Sequence, residues 1–286
     1  MKITTNMLKP SFYVRYYRLF KEAYTIAWRN NRNTSIKKNR DINKSINEFI
    51  ANLDKTIQPR ETDFKPEILI PCYNQGRFLK DALSSINKRD IAVTIINDAS
   101  TDDTAKYIEE VKKEYKFKLI TNMVNINQVG SLNKAIENSE NNLFIVLNAD
   151  DAFTSYTIDT VVDLYKKDTS LRMIGGRCIG FEEKETLKLN SEFPTKLSYQ
   201  PIYKTYGPNQ AKLYKDPNDI NMTMSSCSFL KSAWQAVGGF KELNQRVCSF
   251  DDRDFQMRVS AACNVAVIDE PLAFYRLNSS LGLGQS

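Results

Sequence analysis

Ile68-Leu69-Ile70-Pro71-Cys72-Tyr73-Asn74 is a short apolar run that turns polar at its end, and Val93-Thr94-Ile95-Ile96-Asn97-Asp98 repeats the pattern. Short runs rich in Ile, Leu and Val, bounded by polar residues, read as strands buried on both faces. Leu143-Phe144-Ile145-Val146-Leu147 is another, and it ends in Asn148-Ala149-Asp150-Asp151. Helical stretches are expected between these runs, around residues 77–87, 102–115 and 130–138. Strands separated by helices imply right-handed crossovers, and so an α/β domain with a mostly parallel sheet flanked by helices. Ligands of such sheets collect at the carboxyl ends of the strands. Those ends carry an aromatic, a carboxylate and a carboxylate pair, which suits a nucleotide base and a diphosphate-bound cation.

Outward from this pattern the chain divides. The α/β alternation occupies residues 64–286, whereas residues 1–63 interleave aromatic and basic side chains, as in Phe12-Tyr13-Val14-Arg15-Tyr16-Tyr17-Arg18. That extension reads as an amphipathic basic helix and a second helix from about Arg40 to Leu53, where apolar residues recur at three- and four-residue steps. It holds 13 Lys/Arg against 6 Asp/Glu, while residues 64–286 hold 27 against 28, so the net charge of +6 is an N-terminal property. The extension is expected either to lie on an anionic membrane surface or to dock on its own catalytic domain or another subunit.

Composition removes several chemistries. The chain of 286 residues contains no histidine, which excludes Ser-His and Cys-His nucleophiles and histidine-ligated metals. Its five cysteines are scattered without a C-x-x-C spacing, so they read as small apolar residues of a reducing compartment. No apolar run approaches the ~18–20 residues of a membrane span, and no signal-peptide pattern is present, so a cytoplasmic location is expected. Pro71-Cys72-Tyr73-Asn74-Gln75-Gly76 lacks the glycine pattern of a dinucleotide fold, and no Walker-type lysine loop occurs. Acid–base work must therefore fall to carboxylates.

Taken singly, each polar strand end has an ordinary structural explanation. Asp102 and Asp103 suit a helix N-terminus, with Ser100 or Thr101 as the capping residue. Tyr73 can simply pack, Asp98 can hold its own turn, and Asp150-Asp151 can begin a helix. Further on, Val237-Gly238-Gly239-Phe240 reads as a tight turn before Asp251-Asp252-Arg253-Asp254, where Asp254 and Arg258 are spaced as a helical ion pair. The stretch from Phe181 to Ile220 is rich in Tyr, Lys, Asn and Pro, including Tyr199, Tyr203, Tyr206 and Tyr214. Long irregular segments near a site often bind substrate, so Tyr203, Tyr206 and, on the helix, Arg258 are expected at the acceptor; a surface excursion capping the sheet is the alternative.

The ordered set Pro71-Cys72-Tyr73-Asn74, Asp98-Ala99-Ser100-Thr101-Asp102, Asn125 with Asn133, Asp150-Asp151, Gly238-Gly239-Phe240 and Asp251-Asp252 resembles the family 2 glycosyltransferases across residues 66–281. The resemblance implies a GT-A, Rossmann-like fold and inverting transfer from a nucleotide sugar, by family habit a UDP-hexose, to a glycan or lipid-linked acceptor, as in bacterial surface polysaccharide synthesis. It implies donor contacts from Pro71, Tyr73, Asn74, Asp98, Asn125, Asn133 and Asp150, with Tyr73 and Asp98 at the base. It also implies an Mg²⁺ or Mn²⁺ ion held by Asp150 with Asp151 close by, and Asp252 as catalytic base with Asp251 the next candidate. Three positions depart from the pattern: Asn148 stands in place of an aspartate, Asn127 in place of a glycine, and Asn278 in place of a metal-binding histidine. Asn127 remains compatible, because Asn visits the left-handed backbone region more readily than most residues. The rival readings are a nucleotidyltransferase, which would release pyrophosphate, and a non-enzymatic binder acting through the basic N-terminus, whose binding to a membrane or nucleic acid would depend steeply on salt. Nucleic acid is not the expected partner.

Overall fold

The computed structural model of the chain describes residues 63–88, 90–182, 203–207, 222–241 and 251–277. The expected helices of the extension, Asn278, Tyr199 and Tyr214 lie outside the described residues. In chain order the elements are β1 (Pro66–Cys72), α1 (Leu79–Ser84), β2 (Ala92–Asn97), α2 (Thr104–Val111), β3 (Lys118–Thr121), α3 (Asn127–Glu137), β4 (Leu143–Val146), β5 (Ala152–Phe153), α4 (Thr157–Lys167), β6 (Leu171–Glu182), β7 (Tyr203–Tyr206), β8 (Cys227–Leu230), α5 (Lys231–Ala236), α6 (Asp251–Ala262) and β9 (Asn264–Leu277). Single 3₁₀ turns occur at Gly76–Phe78 and Met224–Ser226.

The strands pair in the order β3-β2-β1-β4-β8-β6-β9-β5, and β7 also pairs with β9. From β3 to β4 every pairing is parallel, as alternating strands and helices require. The chain moves outward from β1 to β3 and then resumes at β4 on the other side of β1, so strand order reverses between β1 and β4. A doubly wound sheet opens its ligand crevice at that reversal. Beyond β4 the sheet is mixed: β8 is antiparallel to β4 and β6, β5 and β7 are antiparallel to β9, and β6 runs parallel to β9.

The two faces of the sheet are packed differently. Ile68, Ile70, Ile95, Leu143 and Ile145 join Leu79 and Leu83 of α1, Ile108 and Val111 of α2, and Val161, Leu164 and Tyr165 of α4 in one buried cluster. The alternate residues of the strands turn to the opposite face. There Phe144 meets Phe229 and Phe229 meets Phe255 of α6, with ring centroids 6.0 and 4.9 Å apart. Burying a large apolar side chain contributes roughly 1.5–3 kcal/mol, so these two layers dominate the domain's stability.

Close contact between elements fixes the rim. The Gly76 N–H donates to Thr104 Oγ1 at 3.0 Å, and a Cβ on Gly76 would lie 2.5 Å from the Thr104 Cα, so only glycine lets the turn after β1 meet the start of α2. The helix cap differs from expectation. Asp102 Oδ1 accepts the Thr104 N–H at 3.0 Å, while Ser100 Oγ accepts instead from the Asn74 N–H at 3.0 Å. Ser100 is drawn away because the loop after β1 needs an acceptor that α2 obtains from Asp102.

Candidate active site

The ends of β1 and β2 form one side of the crevice. Pro71 and Cys72 are buried in the strand, and Tyr73 emerges from it 43% exposed. Asn74 and Ala99 follow the two strands with φ of 54° and 57°, left-handed values that are uncommon for residues other than glycine and cluster at functional sites. Asn74 Oδ1 accepts from the Thr101 N–H at 2.8 Å and the Asp102 N–H at 3.3 Å. The Asn74 amide therefore ties the two strand-end loops together. Burial pushes the Cys72 thiol up to about 12, and Asp102 and Asp150 add to it, so both carboxylates act on the end of β1.

Asp98 lies beneath this rim, 2% exposed. Its Oδ1 accepts from Asn122 Nδ2 at 2.8 Å and from the Ile126 N–H at 3.0 Å. Asn122 is itself held by Ser131 Oγ, and its Oδ1 accepts from Lys134 Nζ at 2.8 Å. Asp98 Oδ2 is buried with no partner. A buried acceptor left unpaired costs roughly 1–3 kcal/mol, more when charged, so an unpaired oxygen at a ligand crevice calls for a donor from outside the protein. Asn125 sits in the loop after β3, where its Oδ1 accepts the Asn127 N–H at 2.9 Å and shapes the turn into α3. Asn127 has φ 63°, the left-handed conformation for which asparagine is the best substitute for glycine.

The other side of the crevice is the end of β4. Asn148 Oδ1 accepts from Gln128 Nε2 of α3 at 2.6 Å, and Asn148 Nδ2 donates to Asp151 Oδ2 at 3.3 Å. Asp151 is buried, and it also accepts from Ser225 Oγ at 2.5 Å and from the Arg276 N–H at 3.0 Å. Burial first, and Asp150 second, push the Asp151 carboxyl up to about 7. Both Asp151 oxygens are thus engaged inside the protein, while Asp150 stands half-buried beside it.

Arg276 is the residue that sequence reasoning missed. It is 4% exposed, donates from Nε to the Asp150 carbonyl at 2.9 Å and from Nη2 to Asp81 Oδ2 at 2.8 Å, and lies 4.3 and 4.5 Å from the Phe78 and Phe181 ring centroids. A guanidinium so placed locks the Asp150-Asp151 turn onto β9. Its signal was a lone charge inside the apolar run Pro271-Leu272-Ala273-Phe274-Tyr275-Arg276-Leu277. Ser225 carried no comparable signal.

Asp251 and Asp252 open α6, with Asp251 buried and Asp252 half-buried. Asp252 Oδ1 accepts the Arg253 N–H at 2.8 Å, and burial holds its carboxyl above the ordinary value. A carboxylate raised in this way is a stronger base. Asp252 also helps raise the Cys227 thiol, which places it close to the start of β8, two residues beyond Ser225. The expected helical pair exists: Arg258 Nε meets Asp254 Oδ2 at 2.9 Å, and Arg258 Nη1 donates to the Val237 carbonyl at 2.6 Å. These bonds direct Arg258 to the turn after α5. Tyr203 and Tyr206 pair with Ile268 and Val265, at the opposite end of β9 from Arg276, and Tyr203 packs against the main core. The structure does not bring them to the rim.

A divalent cation needs oxygen ligands. Among the described residues no group of three or more His, Cys, Asp or Glu could hold one. Asp151 accepts from Ser225 and the Arg276 N–H, and Asn148 Oδ1 accepts from Gln128, so the carboxylate at the end of β4 that would hold the cation is that of Asp150. One carboxylate with substrate phosphates and water is nevertheless a usual donor set for Mg²⁺-type ions. The residues present fit a cation that arrives with a diphosphate.

The family profile described as Glycosyl transferase family 2 matches residues 67–234. Among curated proteins, a poly-beta-1,6-N-acetyl-D-glucosamine synthase of Staphylococcus epidermidis is 31% identical over 111 residues, covering 38% of this chain and 27% of that protein. An uncharacterized glycosyltransferase of Haemophilus influenzae is 26% identical over 132 residues, covering 45% of this chain and 41% of that one. The chain thus aligns with less than half the length of either relative. Among solved structures, S. aureus TarS superposes with a TM-score of 0.54 at 15% identity, covering 74% of this chain and 60% of that one. Its complex with UDP-GlcNAc gives 0.54 at 16% identity, covering 78% and 60%. At these identities the superposition speaks to the fold, which is that of the GT-A glycosyltransferases.

Proposed function

The chain belongs to glycosyl transferase family 2 and is a glycosyltransferase, and from that membership we propose that it moves a hexose from a UDP-hexose, with inversion, to a hydroxyl of a glycan or lipid-linked acceptor. The observation that carries the donor assignment is Asp98 Oδ2, buried and unpaired at the end of β2, whose neighbouring strand β1 ends at the exposed Tyr73. A nucleobase stacked on the Tyr73 ring would present an N–H edge to that oxygen, and uracil has one such N–H. UDP-GlcNAc in the TarS complex and the polysaccharide named in the S. epidermidis relative support a UDP-hexose as first donor and a surface polysaccharide as product.

The diphosphate would lie between the ends of β1 and β4, where Asp150 would hold a divalent cation. Bound there, Mg²⁺ or Mn²⁺ supplies positive charge against the negative charge that develops on the leaving diphosphate. Asp252 takes the proton of the attacking hydroxyl, and its raised pKa suits it to that task; general-base catalysis contributes roughly 10²- to 10⁴-fold. A single displacement from the face opposite the nucleotide inverts the anomeric carbon and needs no enzyme nucleophile. Residues 1–63, with 13 basic residues against 6 acidic ones, support an extension appended to the catalytic domain and a peripheral position at the inner face of a membrane. No helix among the described residues is long and apolar enough to cross one.

Calorimetric titration with UDP tests the donor pocket. Asp98→Ala and Tyr73→Ala should each weaken UDP binding by about tenfold, corresponding to about 1.4 kcal/mol, with a smaller effect on turnover at saturation. Unchanged affinity in both variants would return the two residues to packing roles.

A further inference from the structure

Asn133, which the family resemblance places on the donor, directs its side chain elsewhere. Its Oδ1 accepts from the Phe240 N–H at 3.0 Å and from the Trp234 indole N–H at 2.9 Å, and its Nδ2 donates to the Phe240 carbonyl at 2.9 Å. One amide therefore satisfies both backbone groups of a residue 107 positions away. The approach is close enough to dictate sequence. Gly239, at φ 71°, would carry a Cβ 3.0 Å from Asn133 Oδ1 and 3.1 Å from Trp234 Nε1.

The gripped turn leads to the element that bears Asp252. The Phe240 ring lies 4.0 Å from the Phe255 ring of α6, centroid to centroid, and Phe255 is fully buried one helical turn after Asp251 and Asp252. Arg258 of the same helix donates to the Val237 carbonyl, so the turn holds α6 at two points. Meanwhile α3, which carries Asn133, also carries Ser131, whose hydroxyl holds the Asn122 that supports Asp98. A rigid helix thus links the pocket of Asp98 to the first turn of α6.

We propose that Asn133 is a positioning residue that sets the first turn of α6, and with it Asp252, through the backbone and ring of Phe240. Its effect on turnover rests on Asp252 being the base; its effect on α6 does not. The experiment combines hydrogen exchange of the α6 amides, UDP affinity and turnover in the full chain carrying Asn133→Ala. Exchange across residues 251–262 should quicken by about tenfold or more, since local opening follows local stability. Turnover at saturation should fall by about tenfold or more, because misplacing a reacting group is costly. UDP affinity should stay within about twofold.

Faster α6 exchange with unchanged turnover would uphold the positioning role and remove Asp252 as base. Unchanged α6 exchange would overturn the inference, and if UDP affinity fell as well, Asn133 would be a donor contact after all. Should Asn133→Ala fail to fold, Phe240→Leu keeps both backbone bonds and removes the ring contacts with Phe255 and Phe229. Faster α6 exchange with unchanged UDP affinity is expected there too, and exchange like that of the wild type would overturn the proposal.

Discussion

Asp98 and Asp151 are both buried carboxylates at strand ends, and they divide by their partners. Asp98 keeps one buried oxygen unpaired, whereas Asp151 has both oxygens taken by Ser225, Asn148 and the Arg276 backbone. Asp151 therefore shapes the turn that presents Asp150. Its carboxyl, ordinarily near 3.8, is raised to about 7, chiefly by burial. A group whose folded pKa exceeds its unfolded one contributes stability that is complete below the unfolded value and lost as pH rises through the folded one. The wild-type melting temperature should therefore carry a decline between about pH 4 and about pH 8 that Asp151→Asn, isosteric and uncharged, flattens. An equal decline in the variant would assign the titration to another group. The pair Asp150-Asp151 was legible in the sequence, but the division of labour was not. Ser225 and Arg276 stand 74 and 125 positions beyond Asp151, and nothing local announces them.

Elements were legible where local pattern and tertiary role agree. β1, β2 and β4 are short apolar runs because each is an interior strand buried on both faces, β1 and β2 between two parallel neighbours and β4 between β1 and the antiparallel β8, and the helices between them follow from the crossovers. β5, β7 and β8 gave no such pattern. They are two to four residues long and owe their strand geometry to partners such as β9 and β4, met only after folding. β9 is secured to the site by Arg276, and magnitudes indicate which of its contacts matters most. The Asp81 side chain is 47% exposed, so solvent screens its half of the pair with the buried Arg276. The part-buried bond to the Asp150 carbonyl and the two aromatic faces are specific to the planar guanidinium. Arg276→Lys should accordingly cost roughly 2–3 kcal/mol in urea unfolding, against about 1 kcal/mol or less for Asp81→Asn. Equal costs would shift the weight to the ion pair.

Across the whole molecule, the strand-order reversal between β1 and β4 gathers the polar ends of β1, β2 and β4, the N-terminal end of α3 and the last turn of β9 at one rim. The start of α6 adds Asp252, whose charge reaches Cys227 at the head of β8. Histidine is absent from the sequence, and Asp252 combines half-burial with a pKa held above its ordinary value. Sugar transfer from a nucleotide sugar with Asp252 as the base is the central proposal. The direct measurement is nucleoside diphosphate released from a panel of nucleotide sugars by the wild type and by Asp252→Asn. The wild type should release UDP from at least one UDP-hexose, and the variant should do so roughly 10²- to 10⁴-fold more slowly. Release of pyrophosphate, release from no donor, or equal rates in the two proteins would contradict the account.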